Sequence, residues 1–185
     1  MLSTRILIPK LTVFLIGTAL LLAAAGCHSK SAATPDNFIA GLDAHFLEYP
    51  ECLLPEAPAF PYETGDPVKI KQMNVLVASQ LLTVESEAAI HVSRYTPTPA
   101  GARVAPRFCY GHRVVTGIDS FTPPATANGF PESQVSYHYK VEDVPVWADS
   151  DDVRVAFPAM AYSTSGNATD KATLAGTVAG WQVPD

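Results

Sequence analysis

The stretch VSYHYKVE, residues 135–142, alternates apolar and polar side chains without a break. Successive residues of a strand point to opposite faces of a sheet, so this alternation predicts a half-buried strand. Its apolar face carries Val135, Tyr137, Tyr139 and Val141. Its polar face carries Ser136, His138, Lys140 and Glu142. An antiparallel sheet with one buried face is the structure that such a strand indicates.

The rest of the C-terminal part is also β-prone. The proline-rich residues 122–131 predict a loop, with Asn128-Gly129 as its turn. We therefore expect residues 106–185 to be mainly β. Besides 135–142, the expected strands are 108–118, the alternating segment 153–157, and 173–183, which carries Trp181.

Two helix signals stand in the N-terminal part. Thr34-Pro35-Asp36 combines a capping hydroxyl, a proline for the first turn and an acid at the positive end of the helix dipole. Asp66-Pro67 opens a second helix in the same way, with an apolar pattern that ends near Leu82. Pro50 stops the first helix, whose apolar residues are spaced by four: Phe38, Leu42 and Phe46.

Residues 83–87 and 90–96 follow the second helix and predict a short hairpin. This helix and hairpin, with the Thr-Pro-Thr-Pro exit at 96–99, resemble a winged-helix unit in topology. A DNA-binding winged helix would need a basic second helix, which this chain does not clearly have. We predict an α+β fold in which two N-terminal helices, within a helical part 35–105, pack with the antiparallel sheet.

The N-terminus has the pattern of an export signal. Arg5 and Lys10 are followed by residues 11–27, which carry no charge and are strongly apolar in their first half. That run is shorter than the ~20 apolar residues that a spanning helix needs. An ordinary signal peptidase would cut after Ala25, within a run of small residues.

The alternative comes from Ala24-Ala25-Gly26-Cys27, which resembles the lipobox of bacterial lipoproteins. The resemblance implies cleavage before Cys27, a diacylglycerol on its sulfur and an acylated amine. That family usually has leucine where this chain has Ala24. His28 follows the cysteine, and in lipoproteins of the enterobacterial type this implies the outer membrane, facing the periplasm. The expected organisation is a signal peptide 1–26, a lipidated tether 27–34 and a single α+β domain 35–185.

Charge and cysteine content fit an envelope protein. The formal net charge is −6, and it becomes −8 once Arg5 and Lys10 leave with the signal, so phosphate backbones would repel the chain. Three cysteines leave one unpaired, and acylation of Cys27 accounts for it. In an oxidising compartment we expect Cys52 and Cys109 to form a disulfide; the alternative is two buried thiols.

Signals for catalysis or metal binding are weak. The phosphate-loop, nucleophile-elbow and dinucleotide motifs are missing from the sequence. Cys109 and His112 are three residues apart, which places them on opposite faces of a strand and disfavours a cysteine hydrolase. His112 and His138 are candidate metal ligands, but neither belongs to a tight ligand spacing. Residues 149–152 form an acidic turn without the glycine and distal glutamate of a calcium loop.

The sequence therefore favours a membrane-anchored, non-catalytic domain that binds another protein, with an inhibitor or immunity lipoprotein as one version. Its expected partners are the membrane, through the lipid anchor, and a protein; we expect neither nucleic acid nor a cofactor. The alternative is an envelope enzyme, or a binder of a metal or small ligand. Its site would lie on the sheet and gather His112, His138 and Tyr137 from neighbouring strands.

Overall fold

The structure is a computed structural model that describes residues 29–184. The predicted signal peptide and Cys27 lie outside the described residues. The helices are α1 Pro35–Glu48, α2 Pro67–Ala78, α3 Asp151–Ala156 and α4 Pro158–Ser163, with a 3-10 turn at Gly101–Arg103. The strands are β1 Glu51–Cys52, β2 Tyr62–Thr64, β3 Leu82–Glu87, β4 Val92–Pro97, β5 Cys109–Phe121, β6 Ala125–Ala127, β7 Phe130–Glu142, β8 Ala168–Thr177 and β9 Gly180–Gln182. The α+β class is confirmed.

Two antiparallel sheets organise the chain. The main sheet has the order β1-β5-β7-β8-β9, with the short β6 paired to β7. The smaller sheet has the order β2-β4-β3 and contains the predicted hairpin. The alternating stretch 135–142 lies in β7, at the centre of the main sheet, so that prediction is confirmed. Val135, Tyr137 and Tyr139 are buried as the pattern requires.

Helix α1 packs against both β5 and β9, which are separated in the sheet by β7 and β8. The sheet therefore curls around the helix, and Phe38 and Leu42 are fully buried between them. Asp43 of α1 accepts a hydrogen bond from the backbone N–H of Val115 in β5, at 2.8 Å. Gly41 lies directly against the backbone carbonyl of Trp181 in β9. Helix α1 thus contacts the backbone of both strands, and its Asp43 occupies one backbone N–H of β5.

A second core is formed by buried residues of α2, α3 and α4 together with residues of the smaller sheet. Tyr95 of β4 is fully buried there, and its hydroxyl donates to Asn74 Oδ1 of α2 at 3.0 Å. Met73, Leu76 and Met160 are buried in the same core. Each core therefore joins elements from both halves of the sequence, since α1 packs on the C-terminal sheet and α2 packs on α3.

The predicted strand 153–157 is wrong, because these residues belong to α3 and the start of α4. Ser150 caps α3, its hydroxyl accepting from the N–H of Val153 at 3.3 Å, and two acids occupy the first turn. These groups stabilise a helix N-terminus, and they outweigh an alternation only five residues long. Burial follows the helical period, since Val153 and Ala156 are buried while Val155 is 65% exposed.

Two other C-terminal predictions need correction. Residues 173–183 were expected to be one strand, but β8 and β9 form a hairpin that turns at Val178-Ala179. Thr177 Oγ1 donates to the carbonyl of Gly180 at 2.8 Å and receives the N–H of Ala179, which closes the turn. The expected loop 122–131 contains β6, although its Asn128-Gly129 turn is confirmed.

Candidate functional site

The two candidate metal-binding histidines lie on neighbouring strands but do not converge. His112 is paired in register with Glu142 and His138 with Gly117, so they lie four residues apart along β7. Each faces its own carboxylate: His112 Nδ1 is 3.5 Å from Asp143, and His138 Nε2 is 2.5 Å from Asp119. Within residues 29–184, His, Cys, Asp and Glu side chains nowhere gather in a group of three that could hold a metal.

Tyr137, the third residue of the alternative site, points away from both histidines. It is 2% exposed and packs in the core beneath the sheet, whereas the side chain of His138 is 48% exposed on the other face. This follows from the alternation of side chains along a strand. The structure therefore does not bring His112, His138 and Tyr137 into one site.

Cys52 and Cys109 form a disulfide, as expected, with the sulfur atoms 2.07 Å apart. The bond joins β1 to the start of β5, where the two residues stand opposite each other. Because the sulfur of Cys109 is bonded to Cys52, it is not a free thiolate that His112 could activate.

A partly buried arginine, which the sequence reasoning missed, organises the middle of the main sheet. Arg113 of β5 has a side chain that is 17% exposed. Its Nε lies 2.6 Å from Glu51 Oε1, and its Nη1 lies 2.7 Å from Asp170 Oδ2. Its guanidinium carbon lies 4.3 Å from the ring centroid of Tyr139 and 5.3 Å from that of Phe46. We call these five residues the arginine cluster; they connect α1, β1, β5, β7 and β8.

Two tyrosines complete the surroundings of the arginine cluster. Tyr110 donates to Glu51 Oε2 at 3.1 Å, and the hydroxyl oxygen of Tyr137 accepts from Arg113 Nη1 at 3.4 Å. Burial raises the pKa of Tyr137 to about 12. Burial, together with the negative charge of Glu51, also raises the pKa of Tyr110. Both phenols therefore keep their protons at neutral pH. A structural role, as hydrogen-bonding groups, fits these tyrosines better than proton transfer.

The sequence pattern that could have indicated the arginine cluster is the spacing of residues along one face of a strand. Arg113 and Val115 lie two residues apart in a β-prone segment, and Val115 is buried. A charged residue on the same face as a buried valine implies a buried charge, which must find partners. The partners, Glu51 and Asp170, come from distant parts of the chain, so the sequence did not indicate them.

A groove of about 480 Å³ runs between α1 and β9. Small residues of α1, Ala40, Gly41 and Ala44, line it on one side, and residues 179–183 line it on the other. His45 also lines the groove, and its ring stacks on that of Tyr49 with centroids 4.5 Å apart. The groove has room for a few side chains of a bound peptide or for a small ligand.

The segment before α1 is fixed to the domain at one end of this groove. Asn37 Nδ2 donates to the carbonyls of Ser29 and Ala32, at 2.9 and 2.8 Å. The indole N–H of Trp181 donates to the carbonyl of Ala32 as well, at 3.0 Å. Residues 29–34 are thus held against both α1 and β9. Trp181 itself is 3% exposed, so its ring belongs to the core.

No protein-family model, curated protein or solved structure matches the chain.

Proposed function

We propose that this chain is a lipid-anchored protein of the bacterial cell envelope, acylated on Cys27, whose domain binds another protein without catalysis. The outer membrane, facing the periplasm, is the proposed location. The observation that carries the proposal is the fixed segment 29–34, which begins two residues after Cys27. A lipidated cysteine so close to a docked segment anchors the domain itself.

The disulfide supports the same compartment. Disulfides persist in the periplasm and on cell surfaces and are rare in the cytosol. Within residues 29–184, none of the helices has the length and apolarity that crossing a bilayer requires. An acyl anchor at Cys27 would supply the attachment, since two or more acyl chains hold a protein firmly on a membrane.

The groove between α1 and β9 is the proposed protein-binding site. Ala40 and Ala44 of α1 leave the backbone of an extended peptide room to approach, and Glu48 and Lys30 offer opposite charges. Binding without catalysis fits the arginine cluster, whose charged side chains are already paired with one another, while the nearby Tyr110 hydroxyl donates to Glu51. We further propose that α2 with β2, β3 and β4 forms a winged-helix-like unit, an assignment that the helix followed by a hairpin supports.

Mass spectrometry of the full chain purified from membranes tests the anchor. The expected product begins at Cys27 and carries the mass of the acyl groups. A mature chain that begins at Gly26, or an unmodified Cys27, would refute it.

Site-specific photocrosslinking in the envelope tests the groove. A photoreactive residue at Ala44, in the groove, is compared with one at Ala88, which is also an exposed alanine and lies in the β3–β4 turn. We expect one protein adduct at Ala44 that is lost when Ala40→Arg fills the groove, and none at Ala88. Equal adducts at both positions, or an adduct that Ala40→Arg leaves unchanged, would argue against protein binding here.

A further inference from the structure

Two exposed apolar side chains lie at the same end of the main sheet. Phe130 begins β7 and is 49% exposed, and Val178 is the fully exposed residue of the β8–β9 turn. The antiparallel register, in which Glu132 pairs with Ala175, carries both strands toward this end. The β6–β7 turn and the β8–β9 turn therefore project side by side.

The chain leading to Cys27 leaves the domain at this same end. Gly180, in the β8–β9 hairpin, lies beside Lys30: a Cβ built on Gly180 would be 3.6 Å from the Lys30 carbonyl. Ser29 is fixed there through Asn37. An extended chain covers at most about 3.6 Å per residue, so Cys27 reaches no more than about 7 Å beyond Ser29.

We infer that this end of the domain, defined by Ser29, Lys30, Phe130 and Val178 and called the tether end, rests in the bilayer interface, with Phe130 and Val178 inserted among the lipid headgroups. The inference rests on the proposed acylation of Cys27. The short reach from Cys27 selects the bilayer as the occupant, because a folded protein would not fit between the tether end and the membrane.

Burial of apolar side chains, rather than attraction between charges, drives the insertion. Lys30 is the basic residue of the tether end, and two acids are near this end in sequence: Asp36 follows Lys30 by six residues, and Glu132 follows Phe130 by two. Mixed charge gives little net attraction to anionic lipid. Apolar residues at turn tips instead bury part of their surface at the headgroup and acyl boundary, and the acyl anchor keeps them there.

The same geometry orients the whole domain. β7 has 13 residues, and at about 3.3 Å per residue it spans about 40 Å. Its far end leads into the loop that holds Val146, which is 91% exposed. Val146 therefore stands far from the bilayer and serves as a matched control for Val178: an exposed valine of the same chain at the opposite end of the sheet.

Depth-dependent fluorescence quenching tests the inference on the full-length, membrane-extracted protein. Val178→Trp and Val146→Trp variants are reconstituted into phosphatidylcholine and phosphatidylglycerol vesicles that carry brominated acyl chains. Emission of the unsubstituted protein is subtracted to remove Trp147 and Trp181. For an interfacial tether end, quenching of Val178→Trp should exceed that of Val146→Trp at least about threefold, strongest for bromines near the headgroups.

The outcomes separate the inference from the proposal on which it rests. Mass spectrometry of the same preparation first establishes whether Cys27 is acylated. An unmodified Cys27 would overturn both. An acylated Cys27 with equal quenching at the two positions would leave the anchor standing and overturn the interfacial docking alone.

Discussion

Replacing Gly41 by alanine tests how tightly α1 closes the curled sheet. In an ordinary helix interior, glycine to alanine stabilises the protein by about 1 kcal/mol, because alanine has the better helix propensity. Here we expect the opposite sign. A Cβ at position 41 would stand 2.1 Å from the Trp181 carbonyl oxygen and 2.9 Å from its carbon, both backbone atoms of β9.

The magnitude follows from the distance that must be opened. Even the shortest Cα–H···O contacts keep the carbon about 3.3 Å from the oxygen. Helix α1 and β9 must therefore separate by about 1 Å. That movement loosens Phe38 and Leu42, which are fully buried between the helix and the sheet. Overpacking of this kind costs about 1–3 kcal/mol. Because the new Cβ would press on backbone atoms, we take the upper end of that overpacking cost. After subtracting the gain in helix propensity, Gly41→Ala should destabilise the protein by about 2 kcal/mol.

The assay is urea unfolding with the disulfide intact, followed by far-UV circular dichroism. Gly117→Ala is the control, because a Cβ there would meet nothing within 4 Å. The control should be neutral or stabilise by about 0.5 kcal/mol through the unfolded chain. If Gly41→Ala raises the unfolding midpoint as much as the control does, α1 does not press on β9 as described.

Three further predictions concern the interior. Changing Cys52 and Cys109 to alanine together should lower the free energy of unfolding by up to about 4 kcal/mol, from the entropy of the opened loop, as a denaturant titration would show; an unchanged midpoint would contradict this. Arg113→Ala should destabilise by about 3 kcal/mol because it leaves Glu51 without its cation, and Arg113→Met with Glu51→Gln should recover part of that loss. Stability should fall as pH rises from 10 toward 12, because the unfolded chain loses the Tyr137 proton first; the slope should flatten in a Tyr137→Phe variant.

Part of this fold could be predicted from local sequence patterns. The alternation at 135–142 describes one strand, and its face is decided by side chains that stand next to each other in the sequence. The turn at Asn128-Gly129 is similar, because a positive backbone φ at both residues is what Asn and Gly tolerate best. In each case the residues that form the structure are the residues that signal it.

Non-local structure was beyond the same reasoning. Whether 153–157 became a strand or a helix depended on the cap at Ser150 and on a core that Val153 shares with α2 and β4. The arginine cluster required knowing that Glu51 and Asp170 meet Arg113 across 62 and 57 residues of sequence. Contacts between residues so far apart in sequence are determined by the order of strands in the sheet, and that order depends on the whole chain.

The position of the groove limits what the proposed partner can be. α1 has 14 residues, and at 1.5 Å per residue its length is about 21 Å. The groove follows this helix from Asn37, beside the tether end, to Tyr49. The disulfide and the arginine cluster tie β1 to β5, and α1 packs on β5. With the tether end on the bilayer, a partner must reach within about 20 Å of the membrane surface to bind. A photoreactive residue at Ala44 should therefore capture a membrane-bound protein, or one that passes close to the membrane, and lengthening the chain between His28 and Ser29 should relax that restriction.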